Sequence, residues 1–235
     1  MRTRPWLVPP DELVLGPDDV HVWRADLAVD EAAVPALHGV LASDEREHAA
    51  RFRLARERRR FVVARARLRA TLARYLGREA RGLGFVPGPG GKPRLTGGLG
   101  GGLEFNLSHS GECALLAVSR ARRLGVDVEQ IRPDFNWAGI AAQLFTARQL
   151  TRLATLSDEQ RAAACFRRWT RAEAWLKARG EGLAAAALQR PAHEDAWLVR
   201  SLHVGPGYAA AVAAEGHGWT LTCFTSEGAR VTAPY

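Results

Sequence analysis

Between Gly84 and Gly102 the chain is so dense in glycine and proline that neither a helix nor a long strand can run through it. This break divides two hydrophobic periods. Before it, Phe61, Leu68, Leu72 and Tyr75 recur at spacings of seven, four and three, one face of a helix that reaches about Leu76, with Gly77 as its stop. A helix start is expected near Ser43, read as an N-cap, with Asp44, Glu45 and Glu47 at the positive end of the dipole. After the break the period is two. Leu103, Phe105 and Leu107 alternate with Glu104, Asn106 and Ser108, a half-buried strand, and Ala114–Ser119 and Gly125–Glu129 read as further strands. Helix and strand segments of this kind give an α+β fold rather than a bundle or a sandwich.

The remaining segments extend the pattern. An edge strand is expected at Val20–Trp23, a short strand at Pro93–Leu95 and a linker at Arg120–Arg123. Helices are expected around Trp137–Gln143, Ala147–Leu156 and Asp158–Arg179, and strands near Trp197–Val204, Tyr208–Ala214 and Trp219–Phe224. Gly111 and the apolar run after it are echoed by Gly207 and the run after that. The echo points to two similar α+β halves, residues 1–122 with a basic helix and residues 123–235 with an acidic strand. The 235 residues suffice for either one large domain or two small ones. No apolar run approaches the length of a membrane span, and Met1–Glu12 lacks the apolar centre of a secretory signal, so a cytoplasmic protein is expected. Cys113, Cys165 and Cys223 have no zinc or redox spacing and read as small buried apolar residues.

Charge narrows the partners. The net charge is +8, and Arg46–Arg81 holds thirteen arginines against three acids. Such a surface attracts polyanions: nucleic acid, or a phosphate-rich cofactor together with an acidic protein. Of 33 basic residues only Lys92 and Lys177 are lysine. A GC-rich genome explains the bias towards arginine; the two exceptions are either chance or sites where a compact ammonium is needed.

Four stretches carry chemistry. In Gly125-Val126-Asp127-Val128-Glu129, strand alternation puts Asp127 and Glu129 on one face. Either that face is simply wet, or a divalent cation offsets the repulsion between the carboxylates. In Trp169-Thr170-Arg171-Ala172-Glu173-Ala174-Trp175-Leu176-Lys177, Trp169, Glu173 and Lys177 fall on one helical stripe. This is either a surface Glu–Lys pair beside a core tryptophan, or a third carboxylate and a phosphate ligand. Phe105-Asn106-Leu107-Ser108-His109-Ser110 ends a strand in hydroxyls and an imidazole, groups suited to phosphate or to local hydrogen bonding. It lacks the nucleophile elbow of a serine hydrolase. Gly91-Lys92-Pro93 offers close backbone approach, a point charge and a fixed turn, but is not a Walker loop.

Together, in this order, these stretches resemble the surfactin-type 4′-phosphopantetheinyl transferases. The basic helix after Ser43 and Arg-Gly-Glu-Gly-Leu at 179–183 extend the resemblance from about residue 40 to the end of the sequence. It implies a monomer of two similar α+β halves related by a pseudo-twofold axis, with coenzyme A between them. It also implies a magnesium ion on Asp127, Glu129 and Glu173, and phosphate contacts from Lys92, Ser108, His109 and Lys177. Arg46, Arg51 and Arg53 are expected to meet the 3′-phosphate. The family has lysine immediately before the helix glutamate, where this chain has Ala172. The implied reaction transfers 4′-phosphopantetheine from coenzyme A to a serine of an acidic acyl or peptidyl carrier domain and releases 3′,5′-ADP, with Asp127, Glu173 and Lys177 in the catalytic set and Glu173, or a water it orients, as base. The competing expectations are a basic nucleic-acid-binding protein and a catalytically silent member that only binds coenzyme A or a carrier.

Overall fold

A computed structural model describes residues 5–98, 100–181 and 196–226. It has the α+β architecture, with one motif used twice. Strand β1 (Asp19–Asp26) leads through α1 (Val34–Gly39), α2 (Ser43–Ala50) and the 22-residue α3 (Ala55–Leu76). The short hairpin β2 (Phe85–Pro87) and β3 (Pro93–Leu95) follows, then β4 (Leu103–Ser110) and β5 (Cys113–Arg120). Strand β6 (Leu124–Gln130) restarts the sequence through α4 (Ala138–Leu144), α5 (Ala147–Ala154) and the 22-residue α6 (Asp158–Arg179), then β7 (Trp197–Leu202), β8 (Tyr208–Glu215) and β9 (Thr220–Thr225). Strand order is β4-β5-β1-β9 in one sheet and β6-β8-β7 in the other. Thus β1, β5 and β4 of the first half correspond to β6, β8 and β7 of the second, with antiparallel pairing throughout. Gly111 and Gly207, the echoed glycines, both precede the last strand of these triplets and both have positive φ, 57° and 75°.

Two expectations are corrected in β1 and α2. Strand β1 is interior, because β9 pairs with it in parallel while β5 pairs on its other side. The N-cap of α2 is Ala42, and Ser43 is already helical; the Glu45 carboxylate accepts from the Ala42 amide at 3.0 Å, reaching back along the first turn. The chain leaves the helix at 51–54 before α3 begins, and Gly77 ends α3 in the left-handed region. All three cysteines are free and buried.

The layers follow from alternation. Val20, Val22, Leu115, Ala117, Leu221 and Cys223 from one sheet share a core with Val126, Val128, Ala210 and Val212 from the other. Trp23, Phe105, Leu116 and Phe224, on the opposite face of the first sheet, pack on Leu68 and Leu72 of α3. Ala211, Ala213 and Trp197, on the opposite face of the second, pack on Ala174, Trp175 and Ala178 of α6. The order of layers is therefore helix, sheet, sheet, helix.

The second sheet admits α6 at backbone distance. A Cβ on Gly125 would lie 2.2 Å from the Ala174 carbonyl oxygen and 2.4 Å from the Ala178 nitrogen. Gly125 has no positive φ, so its constraint is space alone. We expect Gly125→Ala to destabilise the protein by about 1–3 kcal/mol or more, because helix backbone, unlike a side chain, cannot rotate away. Gly139→Ala, in α4 with nothing near the added methyl, is the control and should be neutral or stabilising by up to about 1 kcal/mol. Urea unfolding of the two variants checks the contrast.

Candidate active site

The site forms where β4 of the first half meets β6 of the second. The two strands are not paired through their backbones. Instead, the polar residues of β4 reach the free edge of β6 in register. Asn106 Oδ1 accepts from the Val126 amide at 2.8 Å, Ser108 Oγ from the Val128 amide at 3.4 Å, and Ser110 Oγ from the Gln130 amide at 3.1 Å. At the first rung Lys92 Nζ donates to the Leu124 carbonyl at 2.9 Å and lies 3.5 Å from Glu104. The strand expected to keep one wet face is therefore buried at Asn106 and Ser108, since these side chains point at another strand's backbone and not at water.

This seam sets the carboxylates. Ser108 Oγ donates to Asp127 Oδ1 at 2.9 Å, and Ser110 Oγ donates to Glu129 Oε2 at 2.8 Å. From α6, Lys177 Nζ stands 2.6 Å from Asp127 Oδ1 and 3.2 Å from Ser108 Oγ. Glu173 comes from the preceding turn of the same helix, one α6 face away from the tight Gly125 contact. Asp127 and Glu173 are buried, at 2% and 7% exposure. Asp127 Oδ2 and Glu173 Oε1 have no hydrogen-bond donor. Burial first, then the Asp127 charge, pushes the Glu173 carboxyl up to about 7, with Lys177 opposing. Burial likewise raises Glu129, and the Ser110 hydrogen bond opposes.

Two orphaned carboxylate oxygens among three mutually repelling carboxylates are acceptors without a donor. Hard oxygen ligands of this kind suit a hard divalent cation. In the described geometry the cation at Asp127 is the Lys177 ammonium, and no three His, Cys, Asp or Glu side chains among the described residues are already closed to ligating distance.

The other expected residues are more spread. His109 is exposed, and crowding by the protein, then the Lys177 charge, lowers its pKa; Glu57 and Arg60 of α3 act on it from the other side. Lys92 sits at the opposite end of the seam, and its burial lowers its pKa while Glu104 opposes. The Gly88–Gly91 turn before it touches α6: a Cβ on Gly90 would meet the Gly180 carbonyl at 2.5 Å. Arg46 donates to the Leu41 carbonyl at 2.9 Å, while Arg51 and Arg53 are exposed at the break between α2 and α3. Trp169 is half-buried against Trp137 rather than in the core, with ring centroids 6.3 Å apart. Of the 179–183 stretch, residues 182 and 183 lie outside the described residues. Several arginines counted as polyanion surface are already paired: Arg59 and Arg60 with Glu112, and Arg65 and the buried Arg69 with Glu45. Sequence reasoning did not single out Asn106 and Ser110, although their period-two spacing with Ser108 marked them as sharing its face.

Comparison with known proteins gives the family. Residues 123–221, which span β6, α6 and the strands to the start of β9, match the model of the 4′-phosphopantetheinyl transferase superfamily. The chain is 39% identical over 230 residues to the 4′-phosphopantetheinyl transferase HetI of Nostoc sp., covering 93% of this chain and 97% of that one. The chain belongs to the 4′-phosphopantetheinyl transferase superfamily. Over 96 residues it is 41% identical to the transferase AcpT of Salmonella typhimurium, covering 41% of this chain and 49% of the relative. Over 140 residues it is 33% identical to the transferase psf-1 of Bacillus pumilus, covering 51% and 58%. The transferase is thus an enzyme that moves 4′-phosphopantetheine from coenzyme A to a carrier protein.

The raised Glu173 pKa has a measurable consequence. A carboxyl whose pKa is higher folded than unfolded binds its proton more tightly in the folded state, so stability falls as pH rises from about 4.5 to about 7. In chelator at pH 8, Glu173→Gln should be more stable than the wild type by at most about 3 kcal/mol. That gain should shrink towards zero as the pH falls to 5 and below. Thermal melts of the two proteins at both pH values check this; a less stable variant at pH 8 means that the carboxylate is paired.

Proposed function

We propose that Asp127, Glu129 and Glu173 would hold a magnesium ion, and that Lys177 beside them receives the pyrophosphate of coenzyme A between the two halves. The observation that carries this reading is the pair of buried, donorless oxygens, Asp127 Oδ2 and Glu173 Oε1, left over after the Lys177 ammonium has taken the other Asp127 oxygen. The oxygen donor set fits magnesium, which takes few carboxylates and completes its shell with water and phosphate oxygens. When bound, the metal neutralises charge on the pyrophosphate and stabilises the leaving 3′,5′-ADP.

The chain's own residues do the rest. Ser108 donates a hydrogen bond to Asp127, and Ser110 donates one to Glu129. Lys177, 30% exposed, rests on Asp127 and Ser108 and offers its remaining N–H to a phosphate oxygen. A point charge on a flexible stem turns between the two without losing its anchor. Glu173 takes the proton of the attacking serine hydroxyl directly or through a water it orients. The serine oxygen bonds to the phosphorus bearing the pantetheine arm as the bond to the ADP oxygen breaks. His109, Arg46, Arg51, Arg53 and Lys92 remain assigned to the phosphate side of the cleft. The assignment of Lys92 requires it to exchange its Leu124 contact for the ligand.

The surfactin-type assignment is supported by the single chain that carries the β-helix-β motif twice, and a monomer is part of that reading. An acidic carrier domain suits the net charge of +8 and the exposed Arg51 and Arg53 before α3 and Arg56 and Arg58 in its first turn. We place the reaction in the cytoplasm, with its coenzyme A; no helix among the described residues is long and apolar enough to cross a membrane.

Intact-mass assay of an apo carrier panel with coenzyme A and magnesium tests the proposal. Asp127→Ala should reduce transfer at least about 100-fold while the protein remains folded, an effect in the range seen when a metal ligand or an electrostatic stabiliser is lost. Transfer by the wild type in excess chelator, or by Asp127→Ala at the wild-type rate, overturns the metal assignment.

A further inference from the structure

The serine hydroxyls of the seam do two tasks at once. A hydroxyl has one hydrogen to give and two lone pairs to receive with. Ser110 Oγ receives from the Gln130 amide and gives to Glu129 Oε2. Ser108 Oγ receives from the Val128 amide and from Lys177, and gives to Asp127 Oδ1. In each case the backbone amide one residue beyond the carboxylate fixes where the hydroxyl sits, and this fixes where its hydrogen points. The two strands therefore cannot shift in register without turning both carboxylates.

We propose that Ser110 is a positioning residue for Glu129: by spanning the Gln130 amide and the Glu129 carboxylate it holds that side chain in the rotamer that receives the divalent cation. This rests on the metal reading above. Ser110 stands apart from its neighbours in the seam. Asn106 and Ser108 are buried, so their loss would orphan buried amides. Ser110 lies at the open end of β4, and the Gln130 amide it caps is exposed and can turn to water. Its hydroxyl is the one hydrogen-bond donor described for Glu129, whereas Asp127 also has Lys177. Without Ser110 the Glu129 side chain is free to rotate, and a ligand that must be ordered on binding holds metal more weakly. The hydroxyl touches no reacting atom in this arrangement, so its effect falls on metal affinity more than on turnover.

The test compares the wild type with Ser110→Ala and Ser110→Thr. Three quantities are measured: the magnesium concentration for half-maximal transfer, magnesium binding by calorimetry in the presence of coenzyme A without carrier, and the melting temperature. Ser110→Ala should raise half-saturating magnesium about tenfold or more, with a matching loss in the calorimetric affinity. Its turnover at saturating magnesium should fall much less. Ser110→Thr keeps the hydroxyl and should restore most of the affinity. If Ser110→Ala lowers the melting temperature but leaves both magnesium measurements unchanged, the residue is merely structural and the proposal is overturned. If the wild type itself neither needs nor binds magnesium, the metal reading fails, and this inference with it; that outcome is read from the wild type alone and is distinct from the first.

Discussion

A β-strand at the border of a sheet presents a row of amides and carbonyls that must find partners. Strand β6 resolves this with side chains rather than a neighbouring strand. Asn106, Ser108 and Ser110 take the place that carbonyls would have had, and Lys92 serves the one carbonyl at the end. A conventional ladder there would have merged the two sheets and closed the space between β4 and β6. These side chains keep the strands joined but separated. The two serine oxygens among them then hold Asp127 and Glu129, acidic side chains that a continuous sheet would have left to solvent. Fold and site are therefore one arrangement along this line.

The opposing constraint is electrostatic. Asp127, Glu129 and Glu173 gather where α6 crosses the second sheet, and α6 can cross so closely because Gly125, Ala211 and Ala213 present almost no side chain to it. Close approach buries Glu173, and burial beside another carboxylate is unfavourable in the absence of a cation. The small residues and the acidic ones are thus parts of a single trade: packing that favours the fold is used to hold charges that, alone, oppose it. The Lys177 ammonium offsets part of that repulsion.

Much of this was legible in the sequence because local periods report local geometry. The alternation in Gly125–Glu129 placed two carboxylates on one face, and the helical stripe of α6 brought Glu173 and Lys177 together, as the structure has them. Asp158–Arg179 was readable to the residue, since Ser157 and Gln160 form a capping box and Gly180 closes the other end. What stayed hidden depended on partners far away in the chain. The alternation at Leu103–Ser108 gives the two faces of β4, but water and another strand's backbone select the same polar residues, so burial of Asn106 was not visible. Gly125 looked like a strand glycine because nothing local shows that the α6 backbone arrives there. The arginine surface looked continuous because Glu45 and Glu112, which claim four of its members, lie outside or beyond the run.

Strand β9 carries a further consequence. It lies parallel to β1, pairing Asp19 with Thr220 and Arg24 with Thr225, so partners about 200 residues apart complete the first sheet. Contacts of such separation form late, since the loop between them must close first. A nascent chain emerging from the ribosome can assemble β1, α3, β4 and β5 early, yet β1 keeps one bare edge until the ninth strand has been made. Throughout synthesis that edge is open to a chaperone, or to the same strand of a neighbouring chain. The geometry thus ties completion of the first sheet to the arrival of the last strand.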